Sequence, residues 1–236
     1  SKVQWNCGDI VTDGVSLEAK GQEIFELFLR VASGEETKAI IREWSEPKQC
    51  EDLLWCGCAN RMTPRNIEYS KVLADLPKFG GVSDCCGVNE AKAGLYEAAR
   101  HVTENLLEKL SKSRFRRLVV SCGSCQEHLT LLYPEYFGGE LPFEVVSLYE
   151  YIDEQLVKGK IGIQRKVGLD MALSDACYGY RFGDRYMNTV RKLCDAIGIR
   201  AVELEHNREN TACCGVSGMA RRFGLDGVTD AMRVKT

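Results

Sequence analysis

Two short stretches hold the residues best able to do chemistry: VSDCCGVNEAK around Cys85 and Cys86, and NTACCGVSGMA around Cys213 and Cys214. Adjacent cysteines make a poor disulfide, because neighbouring Cα atoms lie about 3.8 Å apart and a relaxed bridge wants about 4.4–6.8 Å. As core filler, the pair would need a site buried on both faces, and the following glycine would have no purpose. Two thiolates aimed at one metal centre, with glycine letting the backbone turn tightly around it, account for all three residues.

Other cysteines sit at matching distances. Cys58, Cys85, Cys86, Cys122 and Cys125 place five thiols in the first half, with 35 residues between Cys86 and Cys122. In the second half Cys177 precedes the pair Cys213 and Cys214, again with 35 residues between Cys177 and Cys213. Five thiolates in one place repel strongly unless a cation neutralises them. Zinc takes four ligands and a cubane iron–sulfur cluster takes four cysteines, so a fifth is either idle or bridges metals in a larger cluster. Spacing alone leaves that choice open. Cys122-Gly-Ser-Cys125 read by itself would suit a redox dithiol, but beside Cys85 and Cys86 it reads as a ligand pair.

The remaining candidates are weaker. Cys194 lies on the apolar stripe of a helix and reads as core, and Cys7 as a packing or surface thiol. His128, three residues after Cys125, either tunes the site and carries protons or lies on a helix surface. His206 precedes the second cysteine pair, as a proton donor or a solvated loop residue. His101 reads as structural or exposed. No glycine-rich phosphate loop has the strand–loop–helix context that a nucleotide site needs.

Composition narrows the setting. The 236 residues suffice for one large domain or two small ones. A net charge of −3 argues against non-specific nucleic-acid binding. The basic clusters Arg114-Phe115-Arg116-Arg117 and Arg221-Arg222 read as solvated faces or docking patches. No apolar run approaches the roughly 18 residues of a membrane span, and SKVQWNCGDI has no signal-peptide core. The expected compartment is the cytosol, where thiols stay reduced and twelve cysteines are more naturally ligands than staples.

The elements that must position these residues follow from hydrophobic periodicity. Residues 1–52 read as a helical N-terminal arm, with one helix through Leu17, Ile24, Leu27, Phe28 and Val31 and another through Ile40, Ile41 and Trp44. Strands are expected at EDLLWCGC, GGVSDCCG, RRLVVSCGSC, FEVVSL, KVGLDMALSDAC and RAVELEH. Helices are expected from Thr63-Pro64 to about Leu76, in one long run from Asn89 to Leu110, after Cys125 to Pro134, over YEYIDEQLV, after Asp184 to Gly198, and from the second Cys-Cys-Gly onward. The alternation predicts an α/β protein with parallel sheets built from two duplicated Rossmann-like units, 53–155 and 156–236. The cysteines fall at carboxyl ends of strands, where open α/β sheets place their ligands.

In this order the pattern resembles the cysteine-rich CCG domain: a cysteine, some thirty to forty residues, Cys-Cys-Gly, about 35 residues, then Cys-x-x-Cys. That domain occurs twice in the B subunit of heterodisulfide reductase and in iron–sulfur subunits of lactate, glycolate and glycerol-3-phosphate dehydrogenases. The stretch from SDACYGYRFGD to HNRENTACCGVSGMA is similar to its second copy, and LLWCGCANR to its first strand. The resemblance implies a noncubane [4Fe–4S] cluster held by Cys58, Cys85, Cys86, Cys122 and Cys125, and a second centre on Cys177, Cys213 and Cys214.

Two departures matter. Cys58 precedes Cys85 by only 26 intervening residues, whereas Cys50 precedes it by 34, and Cys56 is a further candidate. Cys58 is preferred because it ends an apolar strand. The second half reaches Thr236 without its Cys-x-x-Cys, due about 14 residues further on, so three cysteines would hold a smaller cluster, zinc or nothing. The resemblance implies a cytoplasmic redox subunit working with flavin and iron–sulfur partner subunits, peripheral to any membrane complex, that reduces or forms a small-molecule disulfide. Pure electron transfer between a dehydrogenase flavin and a quinone is the second expectation, and a structural zinc protein the third.

Overall fold

The computed structural model describes residues 35–81, 84–92 and 94–213. It divides into two compact units that meet in sequence between Val146 and Ser147. The protein is mixed α/β with parallel strand pairs, as the alternation predicts.

The first unit begins at α1 (Glu35–Trp44), which buries Thr37, Ile40, Ile41 and Trp44 along one stripe. The first predicted helix of the arm, with Leu17 to Val31, lies outside the described residues. Strand β1 (Asp52–Trp55) runs parallel to β2 (Lys78–Phe79) on one side and β3 (Arg117–Val120) on the other, with β4 (Glu144–Ser147) beyond β3. Leu53, Leu54, Trp55, Leu118 and Val119 are fully buried, the signature of a parallel strand covered on both faces. Arg117 clamps Asp52 with two hydrogen bonds of 2.6 and 3.1 Å, which fixes the β1–β3 register at its amino end.

Two expected helices are shorter than their apolar spacing suggests. The segment after Thr63 is helical only over α3 (Pro64–Glu68), which follows the short α2 (Cys58–Met62). Leu73 and Leu76 are buried instead on successive four-residue turns, Leu73 N–H to the Ser70 carbonyl and Leu76 N–H to the Leu73 carbonyl. The long run from Asn89 is two helices, α4 (Val88–Lys92) and α5 (Tyr96–Ser111). Gly94, at φ +80°, breaks it: Leu95 N–H bonds the Glu90 carbonyl and Gly94 N–H the Ala91 carbonyl, the paired bonds of a Schellman motif. The strand expected within GGVSDCCG is the short β2 just before it.

After β3 come α6 (Gly123–Glu127), a π-helical turn (His128–Leu132) and α7 (Tyr133–Phe137), which runs past Pro134. Proline offers no N–H to the carbonyl one turn back, and the wider turn absorbs that loss.

In the second unit Ser147 caps α8 (Leu148–Val157), accepting the Glu150 N–H at 3.1 Å. Strands β5 (Leu169–Leu173) and β6 (Ile199–Glu203) pair in parallel over five residues, connected through α9 (Gly183–Ala196). Asp184 lies in the first turn of α9 and is not its cap. Gly198, at φ +78°, ends that helix as its spacing predicts. The helix expected after the second Cys-Cys-Gly lies outside the described residues.

The core of the first unit gathers Leu53, Trp55, Leu106, Leu110, Leu118, Val120 and Leu129, and Cys86 and Cys125 belong to it. Leu118 is fully buried within it. Replacing Leu118 with Ala should cost about 2–5 kcal/mol of stability, visible as a lower urea midpoint with an unchanged slope.

Candidate metal centre

Three loops at the carboxyl ends of the central strands converge on one group of sulfurs. Beyond β1, Gly57 caps α2 and Cys58 opens that helix. Beyond β3, Cys122 precedes α6 and Cys125 lies within it. Ser121 Oγ donates to Asn60 Oδ1 at 2.9 Å, which ties the two loops together. The third loop, beyond β2, carries Cys85 and Cys86.

Glycines let these loops close. A Cβ on Gly57 would stand 3.0 Å from Trp55 Nε1 and 3.4 Å from Cys125 Sγ, so only a bare backbone lies easily over that sulfur. Gly87, the glycine of the motif, sits at φ +86°, and a Cβ there would meet the Ala99 carbonyl and Thr103 Oγ1 at 2.8 Å. The turn before it is pinned by Asp84, which is buried, accepts the Gly81 N–H at 2.5 Å and pairs with Lys109 at 2.8 Å.

Cys85, Cys86, Cys125 and Cys122 form a chain of thiol contacts in that order. Cys86 and Cys125 are buried, and Cys85 and Cys122 half-buried, so the chain has an inner middle and more accessible ends. Hydrogen bonds from Cys122 and Cys86 pull the Cys125 thiol well below its usual range, helped by the Trp55 N–H and the Arg61 charge. Its neighbours move the other way: Cys86 is raised by Cys125 and Cys85, and Cys122 by Cys125 and by burial. Cys85 is lowered by its hydrogen bond from Cys86 and by the Gly87 N–H, against desolvation. Protons are therefore shared along the row, and full ionisation needs a cation to replace them.

Among the described residues no three His, Cys, Asp or Glu side chains are grouped as donors to a single metal ion. Four neighbouring thiols, with the Trp55 indole N–H beside Cys125, are soft donors of the kind that both iron–sulfur clusters and zinc use.

The three candidates for a first ligand occupy different places. Cys50 stands ahead of β1, its N–H bonded to the Arg114 carbonyl. Cys56 is sealed against β2, where a Cβ on Gly80 would lie 3.0 Å from its own, and burial pushes its thiol up to about 12. Cys58 is exposed and follows Gly57 directly.

In the second unit Cys177 is half-buried four residues past β5, and Cys213 is exposed. Cys214 lies outside the described residues. Buried Asp175 draws their two loops together. It accepts two hydrogen bonds from Arg191, at 3.0 and 2.7 Å, and the Arg208 N–H at 2.9 Å, while its carbonyl accepts from Thr211 Oγ1 at 3.1 Å. Arg208 takes φ +51°, a left-handed conformation uncommon for a side-chain-bearing residue.

His128 is fully buried and not on a helix surface; its Nε2 lies 2.9 Å from Thr103 Oγ1, and burial lowers its pKa to about 4. His206 is exposed in its loop, and His101 is exposed with Asn105 Nδ2 at 3.2 Å. Cys194 is half-buried on α9, and Cys7 lies outside the described residues. Sequence reasoning missed Thr103, Asp84 and Asp175. Each is a polar residue in an otherwise apolar or turn-forming stretch, a signal that names no partner.

The cysteine-rich domain family CCG matches residues 53–130 and 171–233. The chain belongs to this family. Among curated relatives it is similar to the D subunit of the dihydromethanophenazine:CoB–CoM heterodisulfide reductase of Methanosarcina barkeri, at 25% identity across 57% of this chain and 34% of that protein. It is similar to an EtfAB:quinone oxidoreductase of Syntrophomonas wolfei at 26% identity, over 72% of this chain and 24% of the relative. The probable iron–sulfur-binding oxidoreductase FadF of Bacillus subtilis shares 27% identity over 73% of this chain and 25% of its own length. The chain thus matches between about a quarter and a third of each relative's length. No solved structure matches. Among the described residues no helix is long and apolar enough to cross a membrane.

Thiol chemistry separates the candidate first ligands. In iron-free folded protein at pH 8, iodoacetamide should modify exposed Cys58 readily and Cys56 roughly 10²–10³-fold more slowly, since a thiol raised to about 12 is almost wholly protonated there. Peptide mapping by mass spectrometry reads both rates.

Proposed function

We propose that this chain is the cluster-bearing part of an iron–sulfur oxidoreductase, in which Cys58, Cys85, Cys86, Cys122 and Cys125 hold a noncubane [4Fe–4S] cluster. The observation that carries the reading is the convergence of four thiols from the Cys-Cys-Gly turn and the Cys-x-x-Cys loop into one row with a buried middle. Cys58 completes the set because it follows the glycine that closes over Cys125. Cys177, Cys213 and Cys214 are assigned to a second centre, with zinc as its alternative occupant.

When bound, the cluster would supply one-electron transfer and an iron able to take a substrate sulfur. The protein's own groups do the rest. The loops after β1, β2 and β3 hold the thiols, the half-buried Cys85 and Cys122 leave the row approachable, and Gly57 and Gly87 keep the backbone close. The reaction proposed is reduction of a small-molecule disulfide, in which two electrons and two protons break one S–S bond and yield two thiols, or its reverse. Electrons come from flavin and iron–sulfur partner subunits. The heterodisulfide reductase relatives favour this reading.

A second reading is favoured by the quinone-linked relative: electron transfer between a flavin partner and a quinone, with no bond cleavage at the cluster. Both assign a cytoplasmic or membrane-peripheral place.

Anaerobically prepared protein should contain iron and acid-labile sulfide. Cys85→Ser and Cys125→Ser should each lose at least half of that iron, and Cys56→Ser should retain it. Colourless protein containing only zinc would sink both readings. Turnover of a small-molecule disulfide with a reduced viologen dye separates them, being present in the first and absent in the second.

A further inference from the structure

A buried polar network stands behind the Cys-Cys-Gly turn. Thr103 on α5 is fully buried, and its Oγ1 lies 2.9 Å from the Cys86 carbonyl, 2.8 Å from the Ala99 carbonyl and 2.9 Å from His128 Nε2. A hydroxyl has one proton to donate, and both carbonyls can only accept. The network is satisfied when the hydroxyl shares its one proton between the two carbonyls and His128 donates its Nε2–H to Oγ1. The imidazole is then the Nε2–H tautomer, and its buried Nδ1 has no partner among the described residues. His128 is the first residue of the π-helical turn.

The carbonyl that Thr103 grips belongs to the same peptide plane as the Gly87 N–H, which is among the groups that lower the Cys85 thiol. Holding the oxygen on Thr103 aims the opposite end of the plane at the thiol row. Glycine at φ +86° permits this orientation, and the approach of Ala99 and Thr103 leaves no room for a side chain.

We propose that Thr103 and His128 form a brace that fixes the Cys86–Gly87 peptide with its amide facing the Cys85 sulfur, so that both are positioning residues that raise the reduction potential of the cluster held there. An N–H directed at a ligand sulfur stabilises the more negative, reduced state. Breaking the brace frees the peptide to turn its carbonyl toward the sulfur, which favours the oxidised state. The inference rests on the cluster reading above.

The test uses the full chain. Thr103→Val removes the hydroxyl at nearly constant shape, and Thr103→Ser keeps it. His128→Leu removes the donor, and His128→Gln keeps an N–H near the same position. In potentiometric titrations followed by electron paramagnetic resonance, at equal iron content, Thr103→Val and His128→Leu should shift the midpoint to more negative potential. Thr103→Ser and His128→Gln should stay near the parent value. In iron-free protein the Gly87 amide, followed by NMR, should exchange about tenfold faster in Thr103→Val and stay protected in Thr103→Ser. An unchanged midpoint in Thr103→Val, or an equal shift in Thr103→Ser, would overturn the proposal. Should Thr103→Val fail to fold, His128→Leu carries the same outcomes. A parent protein that takes up no iron defeats the cluster reading instead, and unchanged Gly87 exchange in Thr103→Val would then defeat the brace independently.

Discussion

Sulfur crowded inside a protein is a charge problem before it is a coordination problem. Cys85, Cys86, Cys125 and Cys122 touch in a row, and in a low-dielectric interior they cannot all ionise together without a cation. Alternate thiols are driven in opposite directions, two lowered and two raised, because each proton serves two sulfurs. The rest of the first unit is organised to tolerate this row. Arg61 lends positive charge, Trp55 and Gly87 lend N–H groups, and apolar strands carry the loops to one end of the sheet.

The sheet supplies the convergence. Parallel strands point their carboxyl ends the same way, so loops following β1, β2 and β3 meet without any local signal that they should. Close approach is then limited by backbone bulk, and the glycines relieve it at two places: Gly57 over Cys125 and Gly87 against α5. The second unit repeats the logic with a different fastener. Arg191 on α9 bonds both Asp175 in the loop after β5 and Glu203 at the end of β6, joining a turn, a helix and a strand. A buried ion pair of this kind is poor evidence for stability, but it defines one loop arrangement against its neighbours.

Family membership and fold sit easily with this chemistry. The CCG match falls on the segments that hold the paired cysteines of both halves, and the relatives' names include iron–sulfur binding, quinone reduction and heterodisulfide reduction. That range describes electron-handling proteins with differing substrates.

Much of this was legible in the residues. The paired cysteines, their equal 35-residue spacings and the alternating apolar segments determine an α/β chain with cysteines near strand ends, because periodicity and spacing are local properties. Helix limits were less legible where a local competitor won, as at Gly94, whose left-handed turn divides a stripe that reads as continuous. Tertiary structure alone decided that His128 is buried, that Thr103 holds the Cys86 carbonyl, and that Cys56 is sealed while Cys58 is exposed. Those outcomes depend on which side chains meet across 17, 25 or more residues, and a linear pattern of polarity does not specify such meetings. Composition sets which chemistry is available; packing determines which atoms face one another.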